Sequence, residues 1–313
     1  LRHWLARRVV AIKIAPENIR TTGMILVTGA TGMFGGRVLE ALLVKGARVR
    51  ALTHSPDKAQ QLAALGAEPA VGNLDHPETL PEVLQGVERV FLVTPMDSHI
   101  TQREVNMINA AQAAGVRHVV KLYGAVRHHD DPLDRLHKAA IEHLKQSRLA
   151  WTLISPNTVM ETNLMPQAAN IRERNTIYGA AGDGRIGMVA AKDCGLAAAT
   201  VLTGDMAAHH QQNYEITGPE AITYAELAAR MSRILGREIR YEDMPVDEFG
   251  ELLVQYGGYS PDTIEFDILC HFRALRRGDG DLVTHTFEQL TGQRPTSIDE
   301  FIEAHRSEFE PAA

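Results

Sequence analysis

The sequence predicts an α/β fold, a Rossmann-type doubly wound parallel sheet with a smaller C-terminal α+β lobe. Three observations carry that reading. An apolar strand at 24–28 runs into a glycine-rich turn and then a helix. Short apolar segments rich in β-branched residues then alternate with helix-length segments as far as Ile154. After Ser155 the alternation loosens into shorter pieces. Strands separated by helices of this length argue for parallel βαβ units with right-handed crossovers, and strands this apolar are covered on both faces.

The first strand ends at Gly29. There Gly29 permits the tight turn, Gly32 lets the backbone approach a pyrophosphate, and Gly35 lets the helix at about 35–45 pack closely on the strand. The first-turn amides and the helix dipole face the phosphates. Gly29, Thr31, Gly32, Met33, Phe34 and Gly35 are therefore expected against a dinucleotide. A second strand, 47–53, arrives on schedule and ends His54-Ser55-Pro56, with no acid before Asp57. An acid there would accept bonds from the ribose hydroxyls of NAD. His54 and Ser55, with Lys58, suit an adenosine 2′-phosphate instead, so NADP(H) is preferred and NAD(H) is left open.

Helix 57–65 and strand 68–71 follow, then helix 77–84 and strand 87–93. Thr94 and Pro95 end that strand at the carboxyl edge, where ligands of open α/β sheets bind, and are expected against the nicotinamide half. Helix 100–114 leads to strand 118–122, and helix 133–146 to strand 150–154. Beyond Ser155 we expect strands 176–178, 184–189 and 213–216. Helices are expected at 193–202, 224–235 and 246–256, with more helix toward Ile302. Asp193 and Thr223 read as N-caps and Gly236 as a C-terminal stop.

Residues 24–155 are expected to form the dinucleotide-binding core, and 156–313 a substrate-side lobe interleaved with it. Residues 1–23 are expected to lie outside the fold. Arg2, Arg7, Arg8, Lys13 and Arg20 face the single acid Glu17 there, and the first strand opens only at Met24. A transit peptide fits this composition, but an upstream extension is the expectation, since a start at Met24 fits the fold.

Lys and Arg total 32 against 39 Asp and Glu, with no basic stripe interleaved with aromatics, which argues against nucleic acid as a partner. No apolar run is long enough to span a bilayer, so no membrane partner is expected. Cys194 and Cys270 lie far apart and outside any metal or redox spacing, which suits reduced thiols in a cytoplasmic protein. The run His128-His-Asp-Asp131 has metal-ligating elements, but adjacent ligands in a polar loop read as a solvated turn. No metal is expected.

Several segments together resemble the NmrA-like atypical short-chain dehydrogenases. They are Thr28-Gly-Ala-Thr-Gly-Met-Phe-Gly35, Val71-Gly-Asn-Leu-Asp75, Phe91-Leu-Val-Thr-Pro95, Ser155-Pro-Asn157 with Asn163, the helix start at Asp193, and Leu290-Thr-Gly-Gln-Arg-Pro295. The resemblance covers nearly everything after Met24. It is strongest to the NAD(P)H-dependent quinone oxidoreductase and triphenylmethane-dye reductase branch. It implies a Rossmann-type sheet holding NAD(P) and a smaller lobe closing a cleft. It also implies that Asn73, Leu74 and Asp75 frame the adenine, although capping the helix after Pro77 suits Asp75 equally well. Related sequences commonly carry arginine where His54 stands, and arginine where Ser155 stands.

Typical short-chain dehydrogenases pair a tyrosine acid with a lysine four residues later. None of the tyrosines here has that partner; Tyr123, with Arg127, is the nearest imitation. Lys138 matches the place where related members keep lysine or histidine. Lys138 and its neighbour His137 are therefore the catalytic candidates, with Lys138 orienting the nicotinamide ribose. Tyr123, Asn157, Met160, Asn163 and Tyr256 are assigned to the acceptor. Tyr256 lies in Gln255-Tyr-Gly-Gly-Tyr-Ser-Pro261, which suits either stacking on a flat acceptor or an ordinary helix-ending turn.

The activity expected is hydride transfer from NADPH to a quinone or similar conjugated acceptor, a small molecule. A dinucleotide-sensing regulator with a protein partner is the alternative. A nucleotide-sugar epimerase ranks third, because it needs the missing tyrosine–lysine pair. Homodimer formation is left open.

Overall fold

The computed structural model describes residues 23–124, 126, 131–260 and 264–311. Its centre is a seven-stranded parallel sheet ordered β3-β2-β1-β4-β5-β6-β8. The strands are β1 (Met24–Val27), β2 (Val49–Thr53), β3 (Glu68–Val71), β4 (Val87–Leu92), β5 (His118–Leu122), β6 (Ala150–Pro156) and β8 (Gln212–Ile216). The chain runs outward from β1 to β3, returns to β4, and continues the other way. That reversal opens a crevice at the carboxyl ends of β1 and β4. A separate parallel pair joins β7 (Thr176–Gly179) to β9 (Arg240–Asp243).

Side-chain alternation in β1 sorts the two faces. Ile25 and Val27 point to α1 (Met33–Val44) and α8 (Ala191–Thr203), in a core with Val38, Leu39, Leu42, Ala197 and Ala198. Leu26 points the other way, toward α3 (Leu80–Val83), α4 (Ile100–Ala113) and α5 (Pro132–Gln146), among Val90, Met107, Ile108, Ala111 and Leu144. The helix α2 (Pro56–Ala64) lies between β2 and β3. The α1–α8 contact is close because position 195 is glycine. A Cβ there would lie 2.7 Å from the Arg37 backbone.

The second half of the chain contributes β8 to the main sheet and a third core of its own. Tyr224 stacks there on Tyr241 at 5.2 Å and on Phe272 at 6.1 Å. Its helices are α6 (Met160–Leu164), α7 (Ala168–Arg174), α9 (Met206–His209), α10 (Tyr224–Leu235), α11 (Val246–Tyr256), α12 (Cys270–Arg276), α13 (Thr286–Thr291), α14 (Ile298–Ala304) and α15 (Arg306–Phe309). A π-helical segment, Glu265–Leu269, precedes α12. Helix α10 begins with a capping box between Thr223 and Glu226 and ends at Gly236 with φ +69, as its sequence predicts.

Three expectations need correction. Residues 184–189 are not a strand and make only isolated bridges, Ile186 to Ile222 and Val189 to Val159. Gly184 and Gly187 instead let the segment press against other backbone, where a Cβ would lie 2.1 Å from Leu275 O and 2.1 Å from Leu282 O. Asp193 is not the cap of α8, which is Ala190. It is buried in the first turn and accepts from Thr296 N at 2.7 Å and Thr296 Oγ1 at 3.0 Å, tying the C-terminal segment to α8. Asp75 does not cap the turn Pro77–Thr79 either; His76 stands at that position without a side-chain bond. The strand β9 had no alternating signal to reveal it, because most of Arg240–Asp243 is polar and exposed.

His118 opens β5 fully buried, with Nε2 2.8 Å from Thr152 Oγ1 and Nδ1 without a partner. Burial, helped by nearby Arg89, lowers its pKa to about 3. The folded pKa lies below the unfolded value of ~6.5. Stability from this group is therefore complete above ~6.5 and is lost as pH falls toward about 3, because only the unfolded chain takes up the proton. A melting series from pH 7 to pH 5 should fall more steeply for the parent protein than for His118→Gln. Parallel slopes would contradict this assignment.

Candidate functional site

Thr28, wholly buried, locks the ends of β1 and β4 together. Its Oγ1 donates to Val93 O at 2.8 Å and accepts from Val93 N at 2.8 Å. The chain then turns at Gly29, whose φ is +58 and whose Cβ would lie 2.8 Å from Val93 Cγ1. Gly35 is forced for a different reason: its Cβ would lie 2.2 Å from Gly29 O and 2.6 Å from Thr28 O. Gly32 differs from both. Its backbone is extended, and a Cβ would meet nothing within 4 Å except Gly29 O at 3.2 Å. It therefore leaves space in front of the helix. No side chain caps α1, so the amides of Met33, Phe34 and Gly35 lack intrahelical acceptors, while the Met33 and Phe34 side chains pack into the sheet-face core. Thr31 lies half-buried in the turn. This uncapped helix start behind an open glycine fits a pyrophosphate.

At the end of β2, His54 is exposed and Ser55 half-buried, with Ser55 N donating to Thr53 Oγ1 at 3.1 Å. Lys58 is exposed nearby, and Asp57 sits in the first turn of α2. After β3, Asn73 Oδ1 accepts from Asp75 N at 3.0 Å, and Leu74 O accepts from Asn106 Nδ2 at 2.8 Å. Asp75 takes Arg103 Nε at 2.8 Å, and the same guanidinium holds Asp97 at 2.7 Å. Arg103 thereby staples the loops that follow β3 and β4.

The ends of β4 and β5 carry a charged network. Pro95 is exposed beside Thr94, whose Oγ1 lies 3.3 Å from Glu104 Oε1. That oxygen accepts from Lys121 Nζ at 2.8 Å, and Lys121 and Glu104 have 0% and 1% exposed side chains. Lys121 Nζ also reaches Leu122 O at 2.9 Å and His137 Nδ1 at 3.2 Å. Burial raises the Glu104 pKa while Lys121 opposes the shift. Beside this, Tyr123 OH donates to Asp134 Oδ1 at 2.8 Å, and Lys138 Nζ pairs with Asp134 Oδ2 at 2.6 Å. A carboxylate thus stands between the tyrosine and the lysine. Burial first, and then the bond to Asp134, pushes the Tyr123 phenol well above its ordinary range. This is the reverse of a tyrosine activated by a lysine. Tyr123 also meets His137 edge-on, with centroids 5.6 Å apart.

The structure gathers Gly29, Thr31, Gly32, Met33, Phe34, Gly35, Thr94, Pro95, Tyr123, His137 and Lys138 along one edge of the sheet, with His54, Ser55, Asn73 and Leu74 on its β2–β3 side. The remaining expected residues follow β6 or lie further along the second half of the chain. Asn157 is buried, its Nδ2 donating to Gly280 O at 3.0 Å, and Met160 lies in the C-terminal core. Asn163 accepts from Tyr224 OH at 2.7 Å and donates to Val159 O at 2.9 Å. Tyr256 is 76% exposed at the end of α11. Arg127, Pro261 and residues 1–22 and 128–130 lie outside the described residues. Cys194 and Cys270 are both buried.

Glu104, Lys121 and Asp134 were not singled out from the sequence. A signal existed: Lys121 interrupts the apolar run of β5, and Glu104 shares a buried stripe with Met107, Ile108 and Ala111. A charge on a buried stripe needs a partner, and here each supplies the other's.

Residues 21–302 match the NmrA-like family. The chain belongs to that family. Among its relatives is an NAD(P)H azoreductase of Xenophilus azovorans, 33% identical over 289 residues that cover 91% of this chain and 99% of that one. Another is quinone oxidoreductase 2 of Escherichia coli, 34% identical over 242 residues, 75% of this chain and 82% of that one. The structure of the NADPH-dependent quinone oxidoreductase of Escherichia coli in complex with NADPH superposes with a TM-score of 0.81. It is 29% identical, covering 90% of this chain and 99% of that one. Among the described residues of this NmrA-like chain, no helix is long and apolar enough to cross a membrane.

Proposed function

We propose that this protein is an NADPH-dependent reductase of quinones or related conjugated acceptors, acting in the cytoplasm. The observation that carries the reading is the uncapped start of α1 behind Gly32, beside a β2 end that offers His54, Ser55 and Lys58 and no acid before Asp57. NADPH, when bound, supplies the hydride. The glycine turn holds the pyrophosphate, His54 and Ser55 receive the 2′-phosphate, and Asn73 and Leu74 border the adenine. Thr94 and Pro95 border the nicotinamide half, with His137 and Lys138 holding its ribose. Residues 156–313 supply the acceptor-side wall.

Tyr123, held protonated against Asp134, gives up no proton; a reduced quinone takes its proton from water. The activities of the azoreductase and quinone oxidoreductase relatives support this acceptor class.

Two experiments test the reading. His54→Glu should weaken NADPH binding by ~10-fold or more through like-charge repulsion, while NADH binding stays level or improves. An unchanged ratio by calorimetry would remove this turn from the 2′-phosphate site. In single-turnover NADPH oxidation with a small quinone, Lys138→Ala should slow the reaction by ~10-fold or more, and Tyr123→Phe should do less. A larger loss in Tyr123→Phe would reverse the catalytic assignment.

A further inference from the structure

The Lys121 ammonium has three N–H groups and three acceptors around it: Glu104 Oε1 at 2.8 Å, Leu122 O at 2.9 Å and His137 Nδ1 at 3.2 Å. The site is closed, since Lys121 is 0% and Glu104 1% exposed. Lysine has no acceptor to offer, so whatever lies on its Nζ must accept. Glu104 Oε1 also receives Thr94 Oγ1, at 3.3 Å. Two groups at the carboxyl edge, one on the β4 end and one on α5, are thus hung on a single buried ion pair.

We propose that Lys121 and Glu104 are the positioning residues of this site, fixing His137 as an Nδ1 acceptor so that its ring proton resides on Nε2. The inference rests on the reading of His137 as a site residue given above. Glu104 holds Lys121 in place, and Lys121 holds one nitrogen of the ring. Tyr123 packs edge-on against the same ring, with centroids 5.6 Å apart. The side chain enters the site as a neutral donor of defined orientation, a second partner deciding the polarity of the first. Among the described residues, the charged groups around this ring include Lys121 and Glu104, Asp134 with its partner Lys138, and Asp131, which acts on the adjoining Tyr123.

The test separates tautomer from turnover. Side-chain 15N spectra of histidine-labelled protein, without cofactor, should show His137 with Nδ1 unprotonated and Nε2 protonated, its signal assigned by its loss in His137→Gln. In the double variant Glu104→Gln/Lys121→Met, which removes both buried charges together, the ring should relax to a mixture of tautomers. Single-turnover oxidation of NADPH should then slow by ~10-fold, with NADPH affinity changed less than the rate. A protonated Nδ1 in the parent protein would overturn the proposal, as would an unchanged tautomer in the double variant. If the tautomer shifts as expected but the rate does not, the positioning assignment stands and the placement of His137 in the reductase site fails.

Discussion

In the Gly32→Val protein we expect NADPH affinity to fall by ~100-fold or more while the melting temperature stays within a few degrees of the parent. A Cβ at 32 would meet only Gly29 O among the described residues beyond its chain neighbours, at 3.2 Å, so the turn can keep its shape with a small adjustment. The same side chain would project into the space before Met33, Phe34 and Gly35. Backbone bonds to a charged group contribute ~1.5–3 kcal/mol each, about tenfold in affinity per 1.4 kcal/mol, so losing two of them suffices. Gly35→Val is the contrasting case. Its Cβ would sit 2.2 Å from Gly29 O and 2.5 Å from Gly29 C, so α1 must leave β1 and the fold itself should be damaged. Calorimetry and thermal melts of both variants check this. Normal NADPH affinity in folded Gly32→Val would dismiss the turn as the dinucleotide site.

The second large effect is expected at Lys121. Lys121→Met leaves Glu104 as an unpaired carboxylate in a wholly buried position. Breaking a buried pair in this way costs ~3–5 kcal/mol, and at roughly 2–4 °C per kcal/mol for a large domain the melting temperature should drop by about 10 °C. The Glu104→Gln/Lys121→Met protein should recover most of that loss, since neutralising both partners removes the stranded charge. A single variant that melts with the parent would show that the pair is not buried as described.

The fold class was legible because the glycine turn and the strand–helix alternation are local signals, repeated through β1 to β6; every one of these strands is apolar and buried except β3, which lies mostly exposed at the sheet edge. The stretch 184–189 misled because its apolar residues suit a strand, while Gly184 and Gly187 are there for close backbone contact with the end of α12 and the segment after it, a relation invisible along the chain. Asp193 shows the same limit. It has the right residue type for a cap, but its carboxylate serves Thr296, more than a hundred residues away. At the candidate site, Tyr123 and Lys138 were recognisable as residues, but Asp134 between them was not, and it changes what the tyrosine can do. Lys121 and Glu104 were hidden because each looks like an error until the other is placed beside it.

Stopped-flow loss of reduced-nicotinamide absorbance, with the protein mixed with NADPH and a panel of quinones, azo dyes and triphenylmethane dyes, decides between a reductase and a sensor. A reductase should oxidise NADPH with at least one quinone, faster with NADPH than with NADH, and far more slowly in Gly32→Val at subsaturating NADPH. Tight NADPH binding with no oxidation by any acceptor in the panel would contradict it and leave a dinucleotide sensor in its place.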